Sequence, residues 1–231
     1  VKVLVIDVGG THVKLLATGQ STKVEFASGP KLNPKGLVAG VRGLTRGWHY
    51  DAISMGYPGP VLHNRPLAEP HNLAPGWVGF DYARAFKRPV RIINDAAMQA
   101  LGSYEGGRML FLGMGTGLGS ALIVDGVLEP MELGHLPYRK KTFEDYVGLR
   151  GLKKYGKRKW RKFVNDVIVR LMAAVEPDEA VIGGGNAALL HSLPPHCRLG
   201  DNNHAFKGGF RLWSRSASGS PPARRKVAAH K

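Results

Sequence analysis

Two groups of residues have the types and spacing to do chemistry. Asn94-Asp95 closes the apolar run 89–93, and a carboxylate at the end of a strand in an α/β protein points into the usual ligand crevice. Either residue can equally cap the helix that follows, since Asn and Asp are both good N-caps. Glu132 and His135 stand three apart around Gly134 and can converge on one polar ligand, or can be an ordinary surface pair. As metal ligands they are only two, with no suitable third nearby.

The second group is glycine-rich. Asp7-Val8-Gly9-Gly10-Thr11 follows an apolar run, so two glycines can turn the chain tightly and aim N–H groups at an anion. Asp7 can hold a hydrated Mg²⁺ beside phosphates, and Thr11 adds a hydroxyl. An ordinary hairpin turn explains the same residues. Leu112-Gly113-Met114-Gly115-Thr116-Gly117-Leu118-Gly119 places glycine at every second position, which costs stability in a strand interior unless a ligand approaches closely. No Gly-Lys-Ser/Thr follows, so it is not a Walker A loop, and the strand-like continuation argues against a dinucleotide fingerprint. Gly183-Gly184-Gly185-Asn186 is the third: a bare turn, or a nucleotide-side junction leading to a short helix over 187–190 capped by Asn186.

The elements that must position these residues alternate. Strands are predicted over 1–7, 52–55, 89–93, 109–114, 120–124 and 180–182, with 12–17 and 23–27 as an antiparallel pair beside the first. Pro34 opens a helix carrying Leu37, Val38, Val41 and Leu44, and a short helix is predicted over 96–104. Residues 61–80, rich in Pro, Gly and Asn, read as an ordered loop, and Asp125-Gly126 as a hairpin turn. Trp160, Phe163, Val164, Val167, Ile168, Leu171, Met172 and Val175 form one apolar stripe of a helix over 158–175. That stripe is core. The alternation defines an α/β protein with a basic, disordered tail from residue 214. No internal repeat of solenoid length is visible.

Composition narrows the function. With 231 residues, 43% hydrophobic, the chain can bury a sizeable core. The single cysteine, Cys197, excludes an internal disulfide framework and suits a reducing compartment. The first apolar run is too short to span a bilayer and lacks a signal-peptide cleavage pattern, so a soluble cytoplasmic protein is expected. Lys and Arg number 33 against 17 Asp and Glu, a formal charge of +16 that attracts polyanions without naming one.

Taken in order, the motifs resemble the ROK family of sugar kinases and regulators over about residues 1–213, and within it the polyphosphate- or ATP-dependent glucokinases and glucomannokinases. Asp7-Val8-Gly9-Gly10-Thr11 with Lys14 matches the family's first phosphate motif, 113–119 the second, and Gly183-Gly184-Gly185 the nucleotide-side turn. The resemblance implies an actin/hexokinase-like (ribonuclease H-like) fold of two α/β lobes, here 1–94 and 95–213. It makes Asp95 the base that takes the proton from O6 of glucose. Asn94, Glu132, His135 and Glu144 become partners of other sugar hydroxyls. Tyr57-Pro58-Gly59 matches a loop close to the sugar and Asn72-Leu73 a nearby one; Gly115, Thr116 and Gly117 fall on the phosphate side. It also implies Mg²⁺, a hexose (glucose first, mannose second) and the homodimer common in the family.

Two departures matter. Many family members carry a zinc-binding cysteine motif before the position of Glu144, where this chain has Pro137-Tyr138-Arg139-Lys140-Lys141-Thr142; zinc is not expected. The segment 208–213 is shorter than the family's closing helices. Residues 150–162 hold eight Lys and Arg and no acid, a surface ATP does not require but a polyphosphate chain would use; a solvated helix face is the alternative. An ATP-only glucokinase is the rival reading. A nucleic-acid-binding regulator is the second, disfavoured because the first strand starts at Val1 and Asp95 is retained; no specific nucleic acid and no membrane partner are expected.

Overall fold

A computed structural model describes residues 1–214; all of the expected basic tail except Ser214 lies outside them. The first sheet contains β1 (Val3–Val8), β2 (His12–Ala17), β3 (Val24–Ala27), β4 (Ala52–Tyr57) and β7 (Val90–Asn94), in the order β3-β2-β1-β4-β7. β1 pairs antiparallel with β2 and parallel with β4, which pairs parallel with β7. Val3, Leu4, Val5 and Ile6 are all buried because β1 is central and covered on both faces. Helix α1 (Pro34–Leu44) packs Leu37, Val38 and Val41 onto one face; Asn33 Oδ1 accepts the Gly36 N–H at 2.9 Å to cap it. Between β4 and β7 lie the hairpin β5 (Val61–Leu62) and β6 (Arg65–Pro66), then α2 (Tyr82–Phe86). The Asn64 amide bonds Val90 O and the Ile92 N–H, closing the exposed edge of β7.

Helix α3 (Asp95–Ser103) leads into the second sheet: β8 (Arg108–Met114), β9 (Leu118–Val124), β10 (Val127–Met131), then, after a long insertion, β13 (Glu179–Gly183) and β14 (Cys197–Leu199). Its order, β10-β9-β8-β13-β14, repeats that of the first: an antiparallel meander whose first strand is central, then two parallel strands. The two main glycine turns therefore occupy matching places, β1 to β2 and β8 to β9. The insertion holds β11 (Pro137–Tyr138), β12 (Lys141–Thr142), α4 (Phe143–Val147) and α5 (Leu149–Val175). Trp160, Val164, Val167, Ile168 and Leu171 of α5 are buried on the sheet, as the apolar stripe requires.

Helix α6 (His204–Arg211) closes the described chain and packs with α3 between the two sheets. Ala96, Ala97 and Ala100 of α3 face Met109 and Phe111 of β8, while Met98 meets Val3 and Val5 of β1 beside Ala205 and Phe206 of α6. The two helices touch backbone to backbone. A Cβ on Gly102 would lie 2.8 Å from Gly208 N, and one on Gly208 would lie 2.9 Å from Gly102 N.

Several local expectations change. β4 runs on through Gly56 and Tyr57, because β1 and β7 both pair Gly56 and β7 also pairs Tyr57. The helix expected over 158–175 is present, because Gly156 (φ 71°, ψ 160°) breaks α5 just before it; the helical turns from Leu149 up to that break had no expectation. Residues 187–190 form only the 3₁₀ turn Ala187–Leu189. Asn186 makes no capping bond there, since its amide is engaged elsewhere. α2, β14 and α6 had no expectation; α6 forms despite two glycines because they permit its close crossing with α3.

Candidate active site

Asp95 is the first residue of α3, directly after β7. The cap is Asn94: its Oδ1 accepts the Ala97 N–H at 3.1 Å and its Nδ2 donates to Gly59 O at 3.1 Å. One side chain thus fixes the helix start and ties it to the Pro58-Gly59 loop. Asp95 is partly buried, and its Oδ1 accepts the Ala96 N–H at 2.8 Å. Burial pushes its carboxyl up to about 7; the neighbouring Asp7 carboxylate adds to this and Glu132 contributes last, against the pull of the helix-start N–H groups. Asp95, Asp7 and Glu132 thus share one electrostatic neighbourhood. A glycine lets the helix start approach so closely: a Cβ on Gly119 would lie 2.7 Å from the Ala96 methyl, while Gly56 makes room for the Met98 side chain of α3.

Asp7 pairs in register with Lys14 on β2. Burial raises the Asp7 pKa, opposed by Lys14 and Lys23. The turn between them is held by the Gly9 N–H to His12 O at 3.0 Å, the Ser28 hydroxyl to Gly9 O at 2.7 Å and the Ser28 N–H to Thr11 O at 2.9 Å. With its carbonyls thus engaged, Gly10 and the exposed Thr11 remain at the turn's outer edge.

The second and third glycine motifs form one unit. The Asn186 N–H donates to Met114 O at 2.9 Å and its Nδ2 to Gly115 O at 3.1 Å. Gly184 has φ 84° and packs on Met114 so closely that a Cβ would lie 2.6 Å from the Met114 carbonyl oxygen. At the start of α5, the Leu149 N–H bonds Gly115 O and Thr116 O, both at 3.1 Å. Glu144 of α4 closes the seam: its Oε2 is 2.5 Å from where a Gly117 side chain would begin, and its Cβ is 3.5 Å from the same point on Gly134. Glu144 therefore touches both the glycine loop and the turn that carries Glu132 and His135. That turn is fixed by Ser120, whose Oγ donates to Met131 O at 2.7 Å and accepts the Leu133 N–H at 3.0 Å.

Gly183 is buried at the end of β13, whereas Gly185 is exposed with open space around it. Sequence reasoning passed over Ser28 and gave Asn186 the wrong task, because each acts on a backbone segment distant in the chain. A groove of about 810 Å³ between β2 and α6, lined by Leu16, Lys23, Phe206 and Phe210 among others, includes none of the glycine turns or site carboxylates. Among the described residues no group of three or more His, Cys, Asp or Glu is placed to hold a metal ion, and no helix is long and apolar enough to cross a membrane.

Two sheets of matching topology, paired helices between them and glycine turns at their first hairpins define the actin/hexokinase-like fold of the ROK sugar kinases. The chain is 29% identical to the polyphosphate glucokinase of Mycobacterium tuberculosis over 78% of its own length and 76% of that protein. Among solved structures it superposes on the inorganic polyphosphate/ATP-glucomannokinase of Arthrobacter sp. strain KM with a TM-score of 0.78 at 21% identity, covering 90% of this chain and 96% of that one. A ROK family glucokinase from Streptomyces griseus, solved in complex with glucose and AMPPNP, gives 0.73 at 16% identity, covering 92% and 99%. No protein-family model matches the chain. The resemblance read from the ordered motifs is borne out by these relatives.

Proposed function

We propose that this cleft phosphorylates a hexose, glucose first and mannose second, at O6, drawing the phosphoryl group from polyphosphate or ATP. The observation that carries it is Asp95. A carboxylate tuned to about 7 sits at a helix start beside Asp7 and Glu132, where a general base is most effective near neutral pH. The mycobacterial relative's own name, polyphosphate glucokinase, supports polyphosphate and glucose as the substrates.

Asp95 takes the hydroxyl proton as the oxygen attacks, which contributes about 10²–10⁴-fold. Asn94 spends one N–H on Gly59, and the second N–H of its amide is left to donate to a sugar hydroxyl. Glu132, His135 and Glu144 supply further acceptors and donors for the remaining hydroxyls. Phosphoryl transfer otherwise needs alignment and charge neutralisation. Gly9, Gly10 and Thr11 with Lys14 serve one end of the donor, and Gly115, Thr116 and Gly117 braced by Gly183, Gly184 and Gly185 serve the other. The donor set suits Mg²⁺, which binds through one or two carboxylates plus substrate phosphates; Asp7 would hold it, and the ion would neutralise developing charge.

The donor surface favours polyphosphate. Lys153, Lys154, Lys157, Arg158, Lys159 and Lys162 are exposed along α5, whose first N–H abuts the second glycine loop. Arg150 is engaged with Asp145, and Arg161 with Leu189 O. A cytoplasmic homodimer completes the reading, on the family resemblance. The test is a screen of hexoses against ATP and polyphosphate, with Asp95→Asn as control. Absence of glucose phosphorylation with both donors overturns the reading; activity with ATP alone overturns the polyphosphate part.

A further inference from the structure

The loop from β6 to α2 contains a carboxylate that the proposed chemistry does not use. Glu69 is exposed, yet its Oε2 accepts the N–H groups of Gly76 and Trp77, both at 3.0 Å, and its Oε1 that of Val78 at 3.2 Å. Gly76 has φ 105°, a left-handed conformation that turns successive N–H groups towards one anion. These bonds, led by that from Trp77, hold the Glu69 carboxyl below the usual carboxylate range.

The segment closed in this way is anchored at its foot and presents one amide at the cleft. Trp77 is fully buried, its ring centroid 5.8 Å from that of Tyr57, and its Nε1 donates to Ala74 O at 2.7 Å. The Tyr57 hydroxyl donates to Ala68 O at 2.7 Å, and Tyr57 lies two residues before Gly59. The Ala74 N–H donates to Leu32 O at 3.0 Å. At the apex, Asn72 Nδ2 lies 3.8 Å from where a side chain on Gly10 would begin.

We propose that Glu69 is a positioning residue: by gathering the N–H groups of residues 76–78 it closes the loop and holds the Asn72 amide over the first glycine turn, within reach of bound substrate. This rests on the hexose-kinase reading of the cleft. An open loop could satisfy the three N–H groups with water, so the anion selects one loop geometry more than it adds global stability.

The test compares Glu69→Ala, Glu69→Gln, Asn72→Ala and the double variant Glu69→Ala/Asn72→Ala. We expect Glu69→Ala to raise the hexose KM about tenfold with a smaller change in kcat, and Glu69→Gln to fall between it and the wild type. The double variant should be no worse than Asn72→Ala alone, because both act through one amide. Amide hydrogen exchange at residues 73 and 76–78 should accelerate in Glu69→Ala. Unchanged kinetic constants, or effects that multiply in the double variant, overturn the proposal. Should Glu69→Ala not fold, Glu69→Gln carries the same comparison. A wild type that phosphorylates no hexose defeats the proposed function instead, and unchanged exchange at residues 73 and 76–78 then still defeats the loop closure.

Discussion

On the proposed reading Asp95 is the base, and its pKa of about 7 has two consequences that run in opposite directions with pH. Activity needs the carboxylate, so kcat/KM should fall as pH drops below about 7 and reach a plateau above it, which a pH–rate profile will show. For stability, the folded pKa lies above the ordinary 3.8, so the native state holds the proton more tightly than the unfolded chain. That contribution is fully present below about pH 4 and is lost as pH rises through 7. Asp95→Asn should therefore abolish turnover yet raise stability by about 2–4 kcal/mol at pH 8, with no gain at pH 4, as measured by urea unfolding. Gly119 tests placement: the methyl of Gly119→Ala would press on Ala96 and displace the first turn of α3. We expect kcat to fall by about 10²-fold, with an unfolding penalty of only about 1–3 kcal/mol.

At the scale of elements, α3 is the part most tightly specified. It starts on Asn94, and its terminal carbonyls are held by two guanidinium groups. Arg211 Nη1 donates to Leu101 O at 2.6 Å and Tyr104 O at 2.8 Å, and Arg198 Nη2 to Ser103 O at 2.8 Å. Cations at a helix C-terminus also oppose its dipole. The crossing with α6 depends on absent side chains. Gly102→Ala or Gly208→Ala would drive a methyl into the partner's backbone, and we expect a loss of about 2–4 kcal/mol in urea denaturation, since backbone cannot yield as a flexible side chain does. The hairpin of β11 and β12 leads into α4. Here the Tyr138 hydroxyl donates to Asp166 at 2.6 Å, and Tyr138 packs among Phe143, Tyr146 and Phe163.

Across the whole molecule the dominant property is a charge of +16. If the α5 surface carries polyphosphate, activity with that donor should fall steeply with salt through counterion release, and ATP-driven activity should fall less. Charge reversal at Lys157 and Arg158 should raise the polyphosphate KM and flatten the salt slope; identical slopes for the two donors would reject the surface as a track. The repeated sheet order places a glycine turn at the first hairpin of each sheet, with α3 and α6 packed between the sheets.

The sequence alone determined most strands of the two sheets, the amphipathic part of α5 from residue 158, the glycine turns and, by their order, the family resemblance, because hydrophobic period and turn chemistry are local and the motifs are contiguous. By residue type alone Asp95 is ambiguous between cap and base, and it is the family resemblance that makes it the base. The tertiary structure gives the cap to Asn94 and brings Asp7 and Glu132 near Asp95. It alone revealed the matching order of the two sheets, whose sequences share topology without a visible repeat. It alone showed Asn186 bracing Gly115, Ser28 pinning Gly9 and glycines lining the α3–α6 crossing. Each of these joins segments far apart along the chain, and no local pattern records which distant backbone a side chain will meet.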